Sequence, residues 1–574
     1  MIIGTFSYSL VRPTRRVSML QFQRLCCATL MLAVCAAPAA AAASPPEDCV
    51  GTSIHPLSIL RPWGGVIQVN AAGQLAAPVR CLELVLEAGE FVRAVATMGT
   101  EPGLTAVSVL LYEPGKPDPS LRAALGNFAR TAVTWRAATS GPHYLVVRDA
   151  YAFRGATEVP VRIWVEQVEP PLLAEARNAA LSADPRVAWL RQNAVPIRSI
   201  DPDDVDFTDL RPLRSSLEGV RVVLLGEADH RSGSDFLAKS RIVKFVHQEL
   251  GFDVLAFDAP IYGMAVAWDR LRSGMPARQA FAEGVWGFWA NAQQMQSLID
   301  YVAEQSRGKR PIELAGIDNQ FTGQGASPRF AQAVTGFLVD RGLSGPLALP
   351  GGPNMRILES LAMRRYGSGG EPLPDSATGA AFLSALDETI ARASALNDDT
   401  ARFWTQVLRS TACHASFLGQ VAEQCVGDRP RADNLIWLVN ERYPGRRIIV
   451  WTGTAHAARM PELPPAGGRG PSMGKYIGEV FGTHSYAIGL TSYRSSGGHI
   501  VPDQHPLPEF EELMSAAGFA HGLLDLRRAR AEGNWAGQEF LARPIVYSTT
   551  RAVWSELFDA LLFVREHQPR SPVR

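Results

Sequence analysis

From about residue 201 the chain alternates short, nearly unbroken apolar runs with longer stretches of helical apolar spacing. Residues 222–225, 254–257, 312–315 and 448–451 are such runs, and 486–490 and 560–564 are later candidates. A strand that is apolar on both faces belongs in a sheet covered on both faces. Such strands alternating with helices give an α/β fold with a mostly parallel sheet and helices on both faces. One helix is legible in detail. Ser232 followed by Asp235 fits a capping box, Phe236, Ile242, Val243 and Val246 keep helical spacing, and Gly251 fits a left-handed stop. His247, within that helix, is expected at the surface. Residues 320–430 break the alternation and are expected to form a helical insertion that roofs a cleft.

Residues 47–168 follow a different pattern. Runs at 82–86, 91–95, 107–112 and 143–147 are separated by turn clusters such as Glu87-Ala88-Gly89 and Glu113-Pro114-Gly115. Many short strands with regular turns suggest a small all-β sandwich domain. Residues 169–200 read as a linker opening on Pro170-Pro171, and 201–567 as the α/β domain. A length of 574 residues suits more than one core. With 47% hydrophobic and 20% charged residues, the chain is neither a disordered tail protein nor a multi-span membrane protein.

Residues 1–43 read as a signal peptide. Arg15, Arg16 and Arg24 precede an apolar run at 25–37, and alanines at 39–43 follow. The run falls short of the roughly 20 residues a bilayer span needs. Its removal takes four Arg and no acid, leaving 52 basic against 56 acidic side chains. That balance gives no electrostatic reason to expect nucleic acid. The protein is therefore expected to be exported, periplasmic or secreted, with no membrane partner after processing. Cys49, Cys81, Cys413 and Cys425 remain. In an oxidising compartment Cys49 with Cys81 and Cys413 with Cys425 are the near-neighbour pairings, buried free thiols being the alternative.

Ligands of open α/β sheets sit beyond the carboxyl ends of the strands. The first four runs deliver Glu227 to His230, Asp258, Asp318, and Gly453 to His456 to that edge. Ester or amide hydrolysis needs a base for water near neutral pH, and imidazole suits that role. Glu227 could orient His230 or share in proton transfer, and His456 could support a developing oxyanion. Asp258 and Asp318 would fix tautomers or hold Arg and water. Gly470-Pro471-Ser472-Met473-Gly474 matches a nucleophile elbow but lacks the strand that motif needs. No cofactor motif is present and none is expected. A metal held by Glu227, His230 and the aspartates stays open as a second reading.

These residues resemble the erythromycin esterase family over about 185–567. The resemblance is carried by Leu225-Gly226-Glu227-Ala228-Asp229-His230, Asp235-Phe236, Arg241, Phe257-Asp258, the aromatic segment Trp286 to Asn291, Gly316-Ile317-Asp318, Asp428 to Asn434, and Val450-Trp451 through His456. It implies a hydrolase that opens macrolide lactones with activated water, without a serine nucleophile and generally without metal. Carried over, His230 is the general base, Glu227 its carboxylate partner, and His456 the second histidine of a late W-x-H-N-x-H segment. Arg241, Trp289 and Asn291 join Asp258 and Asp318 on the substrate side. Gly453 stands where that segment's first histidine belongs, Thr454 replaces its asparagine, and Asp258 replaces a usual Glu. The expected partner is a small-molecule ester or lactone. A metal-dependent amide or peptide hydrolase and a non-catalytic ligand-binding protein are the alternatives.

Overall fold

The computed structural model describes residues 174–573 apart from 324, 344, 350, 364–374, 416–424, 464–469, 496–506 and 548. Before them it describes 45–46, 49, 53–57, 63–68, 80–98, 106–116, 121–125, 130–151 and 158–167. The expected signal segment and the Pro170-Pro171 linker start lie outside the described residues.

The first described strands are β1 (Ile54–Pro56), β2 (Trp63–Gln68), β3 (Arg80–Leu86), β4 (Phe91–Met98), β5 (Ala106–Tyr112), β6 (Leu121–Leu125), β7 (Arg130–Arg136), β8 (Gly141–Tyr151) and β9 (Glu158–Gln167). They form two sheets, in the orders β1-β3-β8-β5-β6 and β2-β9-β4-β7. Cys49 and Cys81 stand at disulfide distance with Cα atoms 5.8 Å apart, buried with Leu110, Tyr144 and Val146.

The larger sheet has eight strands. They are β10 (Val195–Pro196), β11 (Val222–Glu227), β12 (Phe252–Pro260), β13 (Glu313–Asp318), β14 (Arg447–Gly453), β15 (Ser485–Ser495), β16 (His521–Asp525) and, after a β17–β18 hairpin (Glu539–Ala542, Thr550–Val553), β19 (Ala560–His567). Their order is β10-β16-β19-β15-β11-β14-β12-β13. From β19 to β13 every neighbouring pair is parallel. Only β16 and β10 introduce antiparallel pairing, at one edge. The six apolar runs all became strands of this sheet; β10 and β16 were not foreseen.

Alternation explains the unbroken apolar runs. Val222, Leu224, Ile448 and Val450 enter one core, while Val223, Leu225, Ile449 and Trp451 enter the other. Each side chain so buried contributes roughly 1.5–3 kcal/mol, and both faces need it. The helix Gly233–Leu250 fills the second core with Phe236, Ile242, Val243 and Phe245. Ser232 caps it by accepting from the Asp235 amide, and Gly251 ends it at φ 74°. The capping box is half made: the Asp235 carboxylate accepts from the Ala228 amide instead. His247 is not at the surface. It is buried, pairing with the Tyr301 hydroxyl and the Arg310 carbonyl.

Between β13 and β14 lie the helices Phe330–Asp340, Pro353–Met363, Ser376–Ser394 and Asp399–His414. Cys413 and Cys425 stand at disulfide distance, with Cα atoms 5.0 Å apart and a sequence separation of 12. Closing a loop of that length should stabilise the fold by about 3 kcal/mol, chiefly by restricting the unfolded chain. Urea unfolding of Cys413→Ala/Cys425→Ala should therefore show a lower midpoint than wild type under non-reducing conditions. An unchanged midpoint would contradict a formed bridge.

Candidate functional site

Strand register brings the expected site together. β11 and β14 are paired so that Glu227 lies opposite Gly453. The turn after Glu227 carries His230, and the short helix Thr454–Ala457 after Gly453 carries His456. Gly453 measures the gap between the two rings. A Cβ added there would lie 3.5 Å from His230 Cε1 and 3.8 Å from His456 Cδ2. The two imidazoles thus flank Gly453, the position where the resemblance led to the expectation of a histidine.

Glu227 is 1% exposed. Its Oε1 is 2.9 Å from His230 Nδ1 and accepts the Trp289 indole N–H at 3.0 Å. Its Oε2 is paired with the ammonium of Lys239, itself fully buried. Lys239 also donates to the Thr452 carbonyl at 3.0 Å and sits 4.0 Å over the Trp451 ring. Burial works against the Glu227 anion, but Lys239 and His230 outweigh it and hold the carboxyl below its usual range. Burial pushes the Lys239 ammonium down to about 8, opposed by Glu227. An ionised carboxylate only accepts hydrogen bonds. His230 therefore donates from Nδ1, and Nε2 is the ring nitrogen that Glu227 does not engage. The His230 side chain is 47% exposed, stacked on Phe288 at 4.6 Å between centroids and edge-on to Trp289. Trp286 stacks on the far side of Phe288.

A second histidine–carboxylate pair faces the first. His456 Nδ1 is 2.7 Å from Asp428 Oδ2. Burial disfavours the imidazolium, but Asp428 more than compensates, so the His456 pKa rises above its ordinary value. Asp428 also accepts the Met473 amide and Arg431 Nη1, each at 3.0 Å. Arg431 reaches Asp258 at 2.7 Å through Nε. Its Nη2 lies 3.0 Å from Asp318, a contact of charge rather than of an aligned hydrogen bond. One buried guanidinium thus joins carboxylates from three elements. Against the cost of burial, Arg431 and His456 hold Asp258 down to about 2. Burial raises Asp318 to about 6, assisted by Asp258 and opposed by Arg431.

Several expected roles need correction. Asp258 and Asp318 do hold an arginine, one of the roles expected of them, as buried counter-charges of Arg431, with Asp258 also accepting the Thr452 hydroxyl, but neither presents an open face to a substrate. Trp289 is 1% exposed and spends its indole N–H on Glu227. Arg241 is 1% exposed and fixes the loop at 199–209. It makes a two-pronged pair with Asp209 and donates to the Ser199 and Asp206 carbonyls. Asn291 sits exposed at the end of Gly287–Ala290, with Arg278 donating to its side chain at 3.3 Å. Ser472 is buried and caps the helix Met473–Phe481, as a chance elbow match would.

Sequence reasoning missed Lys239 and assigned no role to Asp428 or Arg431. A lysine between Phe236 and Val243 on the buried face of a helix was the available signal. Among the described residues, no three His, Cys, Asp or Glu side chains gather as a metal-holding group. The oxygens of Glu227 are already engaged by one ammonium and two N–H donors.

Removing one partner of a buried ion pair strands the other charge. Lys239→Met should destabilise the protein by roughly 3–5 kcal/mol in urea unfolding, and adding Glu227→Gln should restore much of that loss. Wild-type stability in the single variant would refute the buried pair.

The sequence model described as erythromycin esterase matches residues 247–567. A Bacillus subtilis (strain 168) protein, YbfO, named as a hydrolase, is 22% identical over 459 residues, covering 71% of this chain and 98% of its own. Erythromycin esterase type II of Escherichia coli is 34% identical over 70 residues, covering 12% of this chain and 16% of its own. The crystal structure of a Bacillus cereus protein overlays with a TM-score of 0.53 at 17% identity, covering 69% of this chain and 99% of that one. That last likeness concerns the fold alone. With more than half its length matched by the family's own pattern, the chain belongs to the erythromycin esterase family.

Proposed function

We propose that the protein is an exported hydrolase that cleaves an ester or lactone of a small molecule with activated water. The observation that carries this reading is the pair of histidine–carboxylate couples on either side of Gly453. His230 Nε2 takes a proton from water as the water oxygen attacks the carbonyl carbon. Glu227 stabilises the imidazolium so formed. His456, kept cationic by Asp428, donates from Nε2 to the developing oxyanion. Collapse of the tetrahedral intermediate expels an alkoxide, which recovers the proton from His230. Acid and alcohol leave, and both histidines return to their starting states. The Trp286–Phe288–His230 stack offers an apolar platform for the substrate beside the base.

The remaining parts fit around this chemistry. We assign residues 1–43 to a cleaved signal and 47–168 to a sandwich accessory module. The catalytic domain is assigned to 201–567, with residues 320–430 shaping the substrate side, and the expected linker at 169–200 is partly built into that domain, since Val187 and Leu190 lie in its core and Val195–Pro196 is a strand of its sheet. Two cysteine pairs at disulfide distance favour an oxidising compartment. Gly453, standing where the resemblance implies a histidine, favours a substrate other than a macrolide.

The test is turnover of a panel of p-nitrophenyl esters and macrocyclic lactones by the processed chain. His230→Ala should lower kcat/KM about 10²–10⁴-fold with an unchanged circular dichroism spectrum. Undiminished turnover would remove His230 from the mechanism, and no turnover of any ester by the wild type would favour a binding protein. Because the His456 pKa is raised, its cation persists above the ordinary histidine range and is lost as pH rises further. The kcat/KM profile should fall on that alkaline side, and His456→Gln should lose the limb along with much of the rate. A limb that survives His456→Gln would assign it to another group, with Lys239 at about 8 the first candidate.

A further inference from the structure

The segment after β19 runs back across the site. Gln568 offers its carbonyl to the Gly233 and Ser234 amides at 2.8 and 3.2 Å, and its own amide donates to Ser234 Oγ at 2.7 Å. The Arg570 amide donates to the Arg231 carbonyl at 2.7 Å, one residue after His230. The same segment then reaches the aromatic stretch. Ser571 accepts the Gln293 amide at 2.8 Å, and the Val573 amide donates to the Asn291 carbonyl at 3.0 Å. Isolated bridges Ser232–Pro569 and Ala292–Pro572 mark the two crossings. A Cβ on Gly233 would lie 2.9 Å from the Pro569 carbonyl oxygen, so the segment lies against the start of the helix too closely for any side chain there. These residues lie beyond the family match, which ends at 567.

We propose that residues 568–573 are a positioning strap. It ties the turn carrying His230 to the segment carrying Phe288 and Trp289, and so fixes the base against its stack and against Glu227. The proposal rests on the hydrolase reading for its catalytic consequence, but its structural half stands on main-chain hydrogen bonds alone. His230 is half exposed and held by one hydrogen bond and two ring contacts. A small tilt of its turn would move Nε2 off the line to the bound water, where misplacement by about 1 Å can cost on the order of 100-fold.

The experiment compares the processed chain with one ending at His567 and with Arg570→Pro, which removes the main-chain donor to Arg231 together with the Arg570 side chain, Arg570→Ala serving as the control that keeps the main-chain donor. Hydrogen exchange at 229–236 and 286–294 should accelerate at least about 10-fold in the shortened chain, and less in Arg570→Pro, while 448–452 is unchanged. Diethyl pyrocarbonate should modify His230 faster in both variants. With a p-nitrophenyl ester that the intact chain turns over, kcat should fall about 10–100-fold with KM within about threefold. Unchanged exchange, or faster exchange with an unchanged kcat, overturns the proposal. If the shortened chain melts globally, Arg570→Pro decides by the same readouts. If the intact chain hydrolyses no ester, the hydrolase reading fails, and the strap is then judged by exchange and the modification rate of His230.

Discussion

The buried pairing of Glu227 with Lys239 is the interaction on which the site depends. A carboxylate with almost no contact with water would ordinarily take up a proton. Lys239 keeps it ionised, and an ionised Glu227 can only accept, which sets the tautomer of His230. Lys239 is held in turn by the Thr452 carbonyl and the Trp451 face, both supplied by β14. The strand that leads into the helix of the opposing histidine therefore also supports the charge behind His230. Registering β11 against β14 with Glu227 opposite Gly453 is what allows one lysine to serve both.

Arg431 performs the matching task on the other side. It gathers Asp258 from the end of β12, Asp318 from the end of β13, and Asp428 from just before its own helix. The three carboxylates outnumber the one guanidinium. The surplus negative charge favours the imidazolium of His456, the state an oxyanion donor needs. Both histidines are thus anchored through Nδ1 by a buried carboxylate, and Asp428 biases His456 toward its cation.

Much of the sheet was legible because a strand buried on both faces leaves an unbroken apolar run, as at 222–225 and 448–451. Strands β10 and β16 escaped notice because they are short, two and five residues, so their patterns are weak. Position at strand ends identified Glu227, His230 and His456, since topology alone sends those residues to one rim. Direction of side chains was not legible. Trp289, Asp258 and Asp318 point inward as supports, and Arg241 turns to Asp209, because each found a buried partner distant in sequence. Lys239 hid inside an amphipathic helix whose polar positions ordinarily face water. Glu227 and Lys239 lie 12 residues apart in sequence, on a strand and the helix that follows, so no local pattern announces their pairing.

The central claim is that one reacting carbonyl sits between His230 and His456 over Gly453. A crystal structure of the processed chain with a bound alkyl phosphonate, a stable mimic of the tetrahedral intermediate, tests it most directly. The account predicts one phosphonyl oxygen within hydrogen-bond distance of His456 Nε2 and another facing His230 Nε2, with the alkyl group along Phe288. Binding elsewhere would contradict it, for example in the shallow concavity lined by Arg214, Leu217, Glu249 and Arg447 at the opposite ends of β11 and β14.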